Sequence, residues 1–82
     1  MENISRELTF GEKAVGLTFN PGGNPDVHAC KSGFAAEIDR MHELRTDASR
    51  NGRSEQARLA SVAITELQGA QMWAVKALTW QD

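Results

Sequence analysis

The chain has 82 residues, 40% hydrophobic and 24% charged, with a net charge of −2, an ordinary balance for one small globular domain. That charge excludes the net basic face of a general duplex-binding protein, and no apolar run approaches the ~20 residues that span a bilayer. A lone cysteine, Cys30, cannot form an internal disulfide, and Met1–Glu7 lacks the basic start and apolar block of a secretory leader, so a reducing cytoplasm is the expected compartment.

Punctuation is concentrated at Thr18–Asn24 (TFNPGGN) and Asp47–Arg53 (DASRNGR). It divides a single 1–82 domain into three helical segments. In the first, Thr9 and Glu12 have the spacing of a capping box, which predicts a short helix over about 10–17, weakened by Gly11 and Gly16. In the second, Asn24, Pro25 and Asp26 read as an N-cap, a proline at the first helical position and an acid at the positive helix end. Val27, Cys30, Phe34, Ile38, Met41 and Arg45 follow at steps of three and four, predicting a helix over about 25–46.

The third segment predicts a helix over about 54–80, with Ser54 as N-cap and Glu55 just inside it. One stripe carries Ala60, Ile64, Leu67, Ala74 and Leu78, interrupted by Gln71. A second carries Leu59, Ala63, Ala70, Trp73, Ala77 and Trp80, interrupted by Glu66. Two apolar faces exceed what one partner helix can cover. One should pack on the second helix, made an antiparallel neighbour by the seven-residue connection, and the other on a neighbouring subunit. A folded chain of this size buries only about 63% of its unfolded surface, which also favours assembly. The expected class is therefore all-α, a long antiparallel helical hairpin with a short N-terminal helix, assembled as a homo-oligomer.

Catalytic chemistry finds little support. His28 and His42 lie four turns apart on one helix, too far to share a metal, and Cys30 sits on the apolar stripe, where a buried inert thiol is expected. The sequence therefore points to no metal, cofactor or catalytic residue. The turn Phe19-Asn20-Pro21-Gly22-Gly23 leads into a helix N-terminus, a general arrangement for cradling phosphate; on pattern alone a plain interhelix turn is the better reading, since Pro25 removes a donor and Asp26 opposes an anion. Lys31 reads either as a snorkelling surface lysine or, between subunits, as a phosphate ligand. Arg58, Ser61 and Thr65 share one ridge, which is either solvated or a polar interface wall. Trp73 and Trp80 suit packing more than base stacking.

In order and spacing, Phe19-Asn20-Pro21, Asn24-Pro25-Asp26-Val27, Lys31, Arg58-Leu59-Ala60, Ala63-Ile64-Thr65 and Gln71–Ala77 resemble a family of phage-encoded anti-defence sponges. These are helical-hairpin proteins of the anti-CBASS type, related to the hairpin domain of anti-Thoeris sponges, and the likeness runs from about Ala14 to Trp80. The resemblance implies a hexamer, acting in the cytoplasm of the infected bacterial host, that sequesters cyclic nucleotide second messengers without cleaving them. Cyclic dinucleotides such as cyclic GMP-AMP would sit between two subunits and cyclic trinucleotides in separate pockets. It places Lys31 against phosphate and the Phe19–Asn20 turn in the same pocket, and matches Arg58 and Thr65 to family positions. The candidate ligand-binding set is Phe19, Asn20, Gly22, Lys31, Phe34, Arg58 and Thr65. Two departures bear on ligand choice. Gly16 stands where some members stack a base on tyrosine, leaving Phe10 or Phe19 as substitutes, and Ile64 stands where some have arginine. The alternatives are a sponge for cyclic ADP-ribose-type Thoeris signals and a small helical oligomeric adaptor without a nucleotide ligand.

Overall fold

The computed structural model describes residues 6–82. They form three helices, α1 (Phe10–Ala14), α2 (Pro25–Arg50) and α3 (Ser54–Thr79), with no strand among the described residues. The all-helical hairpin matches the expected class, while two helix ends and one cap differ for local reasons.

The Thr9–Glu12 capping box forms as read. The helix it starts stops at Ala14 rather than Leu17, because Gly16 adopts φ +62 and turns the chain out. Leu17 N–H donates to the Glu12 carbonyl at 3.0 Å and Gly16 N–H to that of Lys13 at 3.1 Å, the paired bonds of a left-handed helix stop. Gly16 therefore ends α1 instead of merely weakening it.

The same device closes α2. Gly52 has φ +72, Arg53 N–H donates to the Ala48 carbonyl at 2.9 Å and Gly52 N–H to that of Ser49 at 3.3 Å. Residues 47–50 thus complete the helix, and only Asn51, Gly52 and Arg53 separate it from α3. At the other end, Asn24 Oδ1 accepts from the Asp26 and Val27 amides at 2.9 and 3.3 Å, and Pro25 opens α2. Ser54 is the first residue of α3 and not its cap. The cap position is Arg53, without a capping side-chain bond; its guanidinium instead reaches Gln56 Oε1 and Asp47 Oδ2, both at 2.6 Å.

The core lies where α1, its following turn and α3 meet α2. Val15, Leu17, Ala35, Ile38 and Ile64 are buried together, flanked by Ala14, Phe34, Met41 and Leu67. The buried line along α2 is Val27, Lys31, Ala35, Ile38 and Ala48. It is rotated from the stripe read in sequence, whose Cys30, Phe34 and Met41 are only half-buried, because α2 is covered on two sides. Ala60, Ile64 and Gln71 of α3 are buried, whereas Leu59, Met72, Trp73 and Trp80 are exposed. One apolar face of α3 is spent on α2 and the other is bare. The backbone measures 47 × 33 × 12 Å, a layer about one helix thick.

Candidate ligand cleft

The turn before α2 is built from its own composition. Gly23 N–H donates to the Asn20 carbonyl at 2.9 Å, Pro21 fixes the second position, and Gly22 at φ +82 supplies the left-handed third position that a type II turn requires. Asn20 is buried, and its amide clasps Asn24, with Nδ2 donating to the Asn24 carbonyl at 2.8 Å and Oδ1 accepting from the Asn24 amide at 3.2 Å. Since Asn24 in turn caps α2, the turn and the helix start are locked as one piece.

Lys31, two turns into α2, is 6% exposed. Its Nζ donates to the Phe19 carbonyl at 2.6 Å and the Gly16 carbonyl at 3.0 Å. The ammonium therefore does not snorkel into water; it pins the turn that carries Phe19. Its two bonded partners are neutral, and no salt bridge joins it to a carboxylate among the described residues. Two of its three N–H donors are committed, leaving one for another acceptor. The Phe19 ring, 71% exposed, stands 5.6 Å from Nζ. Together with Asn20, Val27, Val75 and Thr79 these residues line a cleft of about 290 Å³. It offers one desolvated cation, one free aromatic face and apolar walls.

Within one chain the sequence-selected residues fall in separate places. Phe19, Asn20 and Lys31 share this cleft. Gly22 shapes the adjoining turn without lining it. Phe34 flanks the core and borders an apolar groove with Cys30 and Leu67. Cys30 is half-buried rather than buried. Arg58 lies at the hairpin connection, where its guanidinium grips Glu55 through bonds of 2.9 and 2.6 Å and holds that carboxyl below its usual range. Thr65 is exposed and donates back to the Ser61 carbonyl at 3.3 Å. Of the two candidate stacking rings, Phe10 is engaged, lying 4.2 Å from the His42 ring at an interplanar angle of 13°; Phe19 is open.

Sequence reasoning missed Val75 and Thr79 as walls, although an antiparallel hairpin brings the C-terminal end of α3 beside the start of α2. It also treated Arg45 only as the charged end of a stripe, whereas Arg45 bonds His42 and Ser61. Among the described residues no three His, Cys, Asp or Glu side chains are grouped to hold a metal ion, and no helix is long and apolar enough to cross a membrane.

No curated protein and no solved structure matches the chain. The family described as Acb2/Tad1, hairpin domain, matches residues 12–79, which covers the end of α1, the cleft and both long helices. The chain therefore belongs to the Acb2/Tad1 hairpin-domain family.

Proposed function

We propose that this protein is a phage anti-defence sponge that binds and holds cyclic oligonucleotide second messengers without cleaving them, and so blocks CBASS-type signalling in the cytoplasm of the infected host. Family membership supports the sponge role. The observation that carries the ligand class is the Lys31 cleft. A buried ammonium with neutral partners favours a phosphodiester, because the anion compensates a charge already removed from water. The free Phe19 face beside it suits a base, and such stacking is worth about 1–3 kcal/mol per base.

The assembly belongs to the same reading. The cleft adjoins a thin layer whose other α3 face carries exposed Leu59, Trp73 and Trp80. Copies packing through that face, as a hexamer, would bury it and wall the clefts in symmetric pairs, which suits a ligand with two phosphates and two bases. Arg58 and Thr65 lie away from the Lys31 cleft in their own chain and act on that ligand only from a neighbouring copy. Holding without turnover asks for slow release rather than reactive groups.

The test is to incubate the protein with cyclic di- and trinucleotides and cyclic ADP-ribose isomers, filter, and assay the filtrate. Depletion of a cyclic dinucleotide that returns intact after heat denaturation supports the reading. Retention of cyclic ADP-ribose isomers alone transfers it to Thoeris-type signals, and retention of nothing at micromolar protein replaces it with the oligomeric adaptor.

A further inference from the structure

At the opposite end of the hairpin, a second cleft of about 370 Å³ opens beside the connection between α2 and α3, lined by Arg45, Ser49, Ser54, Arg58 and Ser61. Its fixed element is Arg45. Nη2 bonds His42 Nδ1 at 2.8 Å, Nη1 donates to Ser61 Oγ at 3.3 Å, and the guanidinium lies 5.3 Å from the Phe10 ring centroid. A guanidinium only donates, so Nδ1 is the acceptor here. All three partners are uncharged groups or a ring face, and no salt bridge joins Arg45 to a carboxylate among the described residues. Arg45 is thus a half-buried, oriented cation without a counter-charge.

The second cation, Arg58, is held differently. Its partner is Glu55 on the same helix, with the two side chains 61% and 68% exposed, and exposed pairs of this kind are weakly bound and readily exchanged. Ser49, Ser54 and Ser61 add three hydroxyls to the rim. A tetrahedral dianion, with three terminal oxygens, can accept from two guanidinium forks and several hydroxyls at once, whereas the two oxygens of a planar carboxylate offer only about four acceptor positions.

We propose that the Arg45–Arg58 cleft is a phosphoryl-binding site formed within a single chain, taking the terminal phosphate of a small phosphomonoester or diphosphate. Lys31 and Arg45 are fourteen positions apart on α2, about 21 Å along the helix, so one phosphate cannot engage both. Arg58 is the one residue this site shares with the messenger reading; the fixed cation, Arg45, and the serine hydroxyls belong to this cleft alone, so pyrophosphate binding here can be present or absent whatever cyclic nucleotides do. Glu55 is its built-in competitor: an arriving phosphate must take Arg58 from that carboxylate.

Residue-resolved amide NMR tests this with pyrophosphate titrated at constant ionic strength. Saturable shifts are expected at Ser49, Gly52 and Ser54, with affinity at least about tenfold weaker in Arg58→Ala, the loss of one charge-assisted contact, and tighter in Glu55→Gln. Both substitutions are at exposed positions outside the core. Adenosine monophosphate in a parallel arm separates a free phosphate anion from a nucleotide as carrier, and saturation by either at these amides supports the site. The proposal is overturned if those amides show no saturable shift, or if Arg58→Ala binds as tightly as the parent chain.

Discussion

Gly11 is pressed against Ala35 so closely that a side chain has no place there. A Cβ at Gly11 would overlap the Ala35 carbonyl oxygen and lie 2.9 Å from Asp39 Oδ1. That same carboxylate oxygen accepts the Gly11 N–H at 2.7 Å, so α1 is seated on α2 by backbone contact. Gly11→Ala should lower stability by about 1–3 kcal/mol from overpacking, despite the ~1 kcal/mol helix-propensity gain alanine normally brings. Thermal unfolding gives the check: a Tm at or above that of the parent chain would contradict the contact.

Lys31 has a structural task as well as the proposed ligand contact. Lys31→Met keeps the stem and removes the donors, leaving the Gly16 and Phe19 carbonyls without their partner. A loss of about 1–3 kcal/mol in folding stability is expected, together with loss of cyclic dinucleotide retention. Denaturant titration reads the first and calorimetric titration the second; unchanged stability would release Lys31 from the turn.

The N-terminal cap should fail in acid. Arg6 bonds Glu12 at 2.7 and 2.6 Å and the Thr9 amide donates to it at 2.9 Å; these bonds, Arg6 first, lower the Glu12 pKa from 4.5 to about 2. Above 4.5 the carboxylate is ionised in both folded and unfolded chains and the stabilisation is complete. As pH falls from 4.5 towards 2, the unfolded chain takes up the proton first and the stabilisation declines. Protection of the Thr9 amide should fall through this window, and Glu12→Gln should flatten the profile. A parent profile already flat from pH 5 to 2 would disprove the linkage.

The bare face of α3 should be a subunit contact. Trp73 is 71% exposed, with Lys76 Nζ 5.3 Å from its ring and 5.9 Å from that of Trp80. Light scattering should give a mass several times that of one chain. Trp73→Glu should weaken assembly by about 2 kcal/mol or more, the usual scale for a central interface tryptophan. A parent chain that is monomeric at micromolar concentration would refute it.

Much of the architecture was legible because its signals are local. Thr9–Glu12 and Asn24–Pro25 each announce a helix start within four residues, and the two apolar stripes of α3 announce that α2 cannot cover both. Helix ends were harder to place. Asp47–Arg53 has loop composition, yet only Gly52 takes a left-handed φ, and the residues before it have no reason to leave the helix. The cleft was half legible. Phe19, Asn20 and Lys31 could be grouped only through the family resemblance, and the burial of Lys31 depends on where the α1 stop places the Gly16 carbonyl. The Arg45 environment was invisible for a related reason: its partners come from Phe10, His42 and Ser61, which meet only once α1 and α3 have packed on α2.

The 12 Å thickness of the layer bears on how the protein behaves on dilution. A sheet of helices this thin has no interior that its own faces do not also border, so in the proposed assembly subunit contacts would contribute much of the burial that a thicker domain obtains from itself. Dilution would then act on that assembly as a denaturant does. Capture without turnover needs at least one binding site for every messenger molecule removed, hence abundant protein. Under the proposed function, the copy number that makes sequestration effective would also be the copy number that keeps the assembly intact.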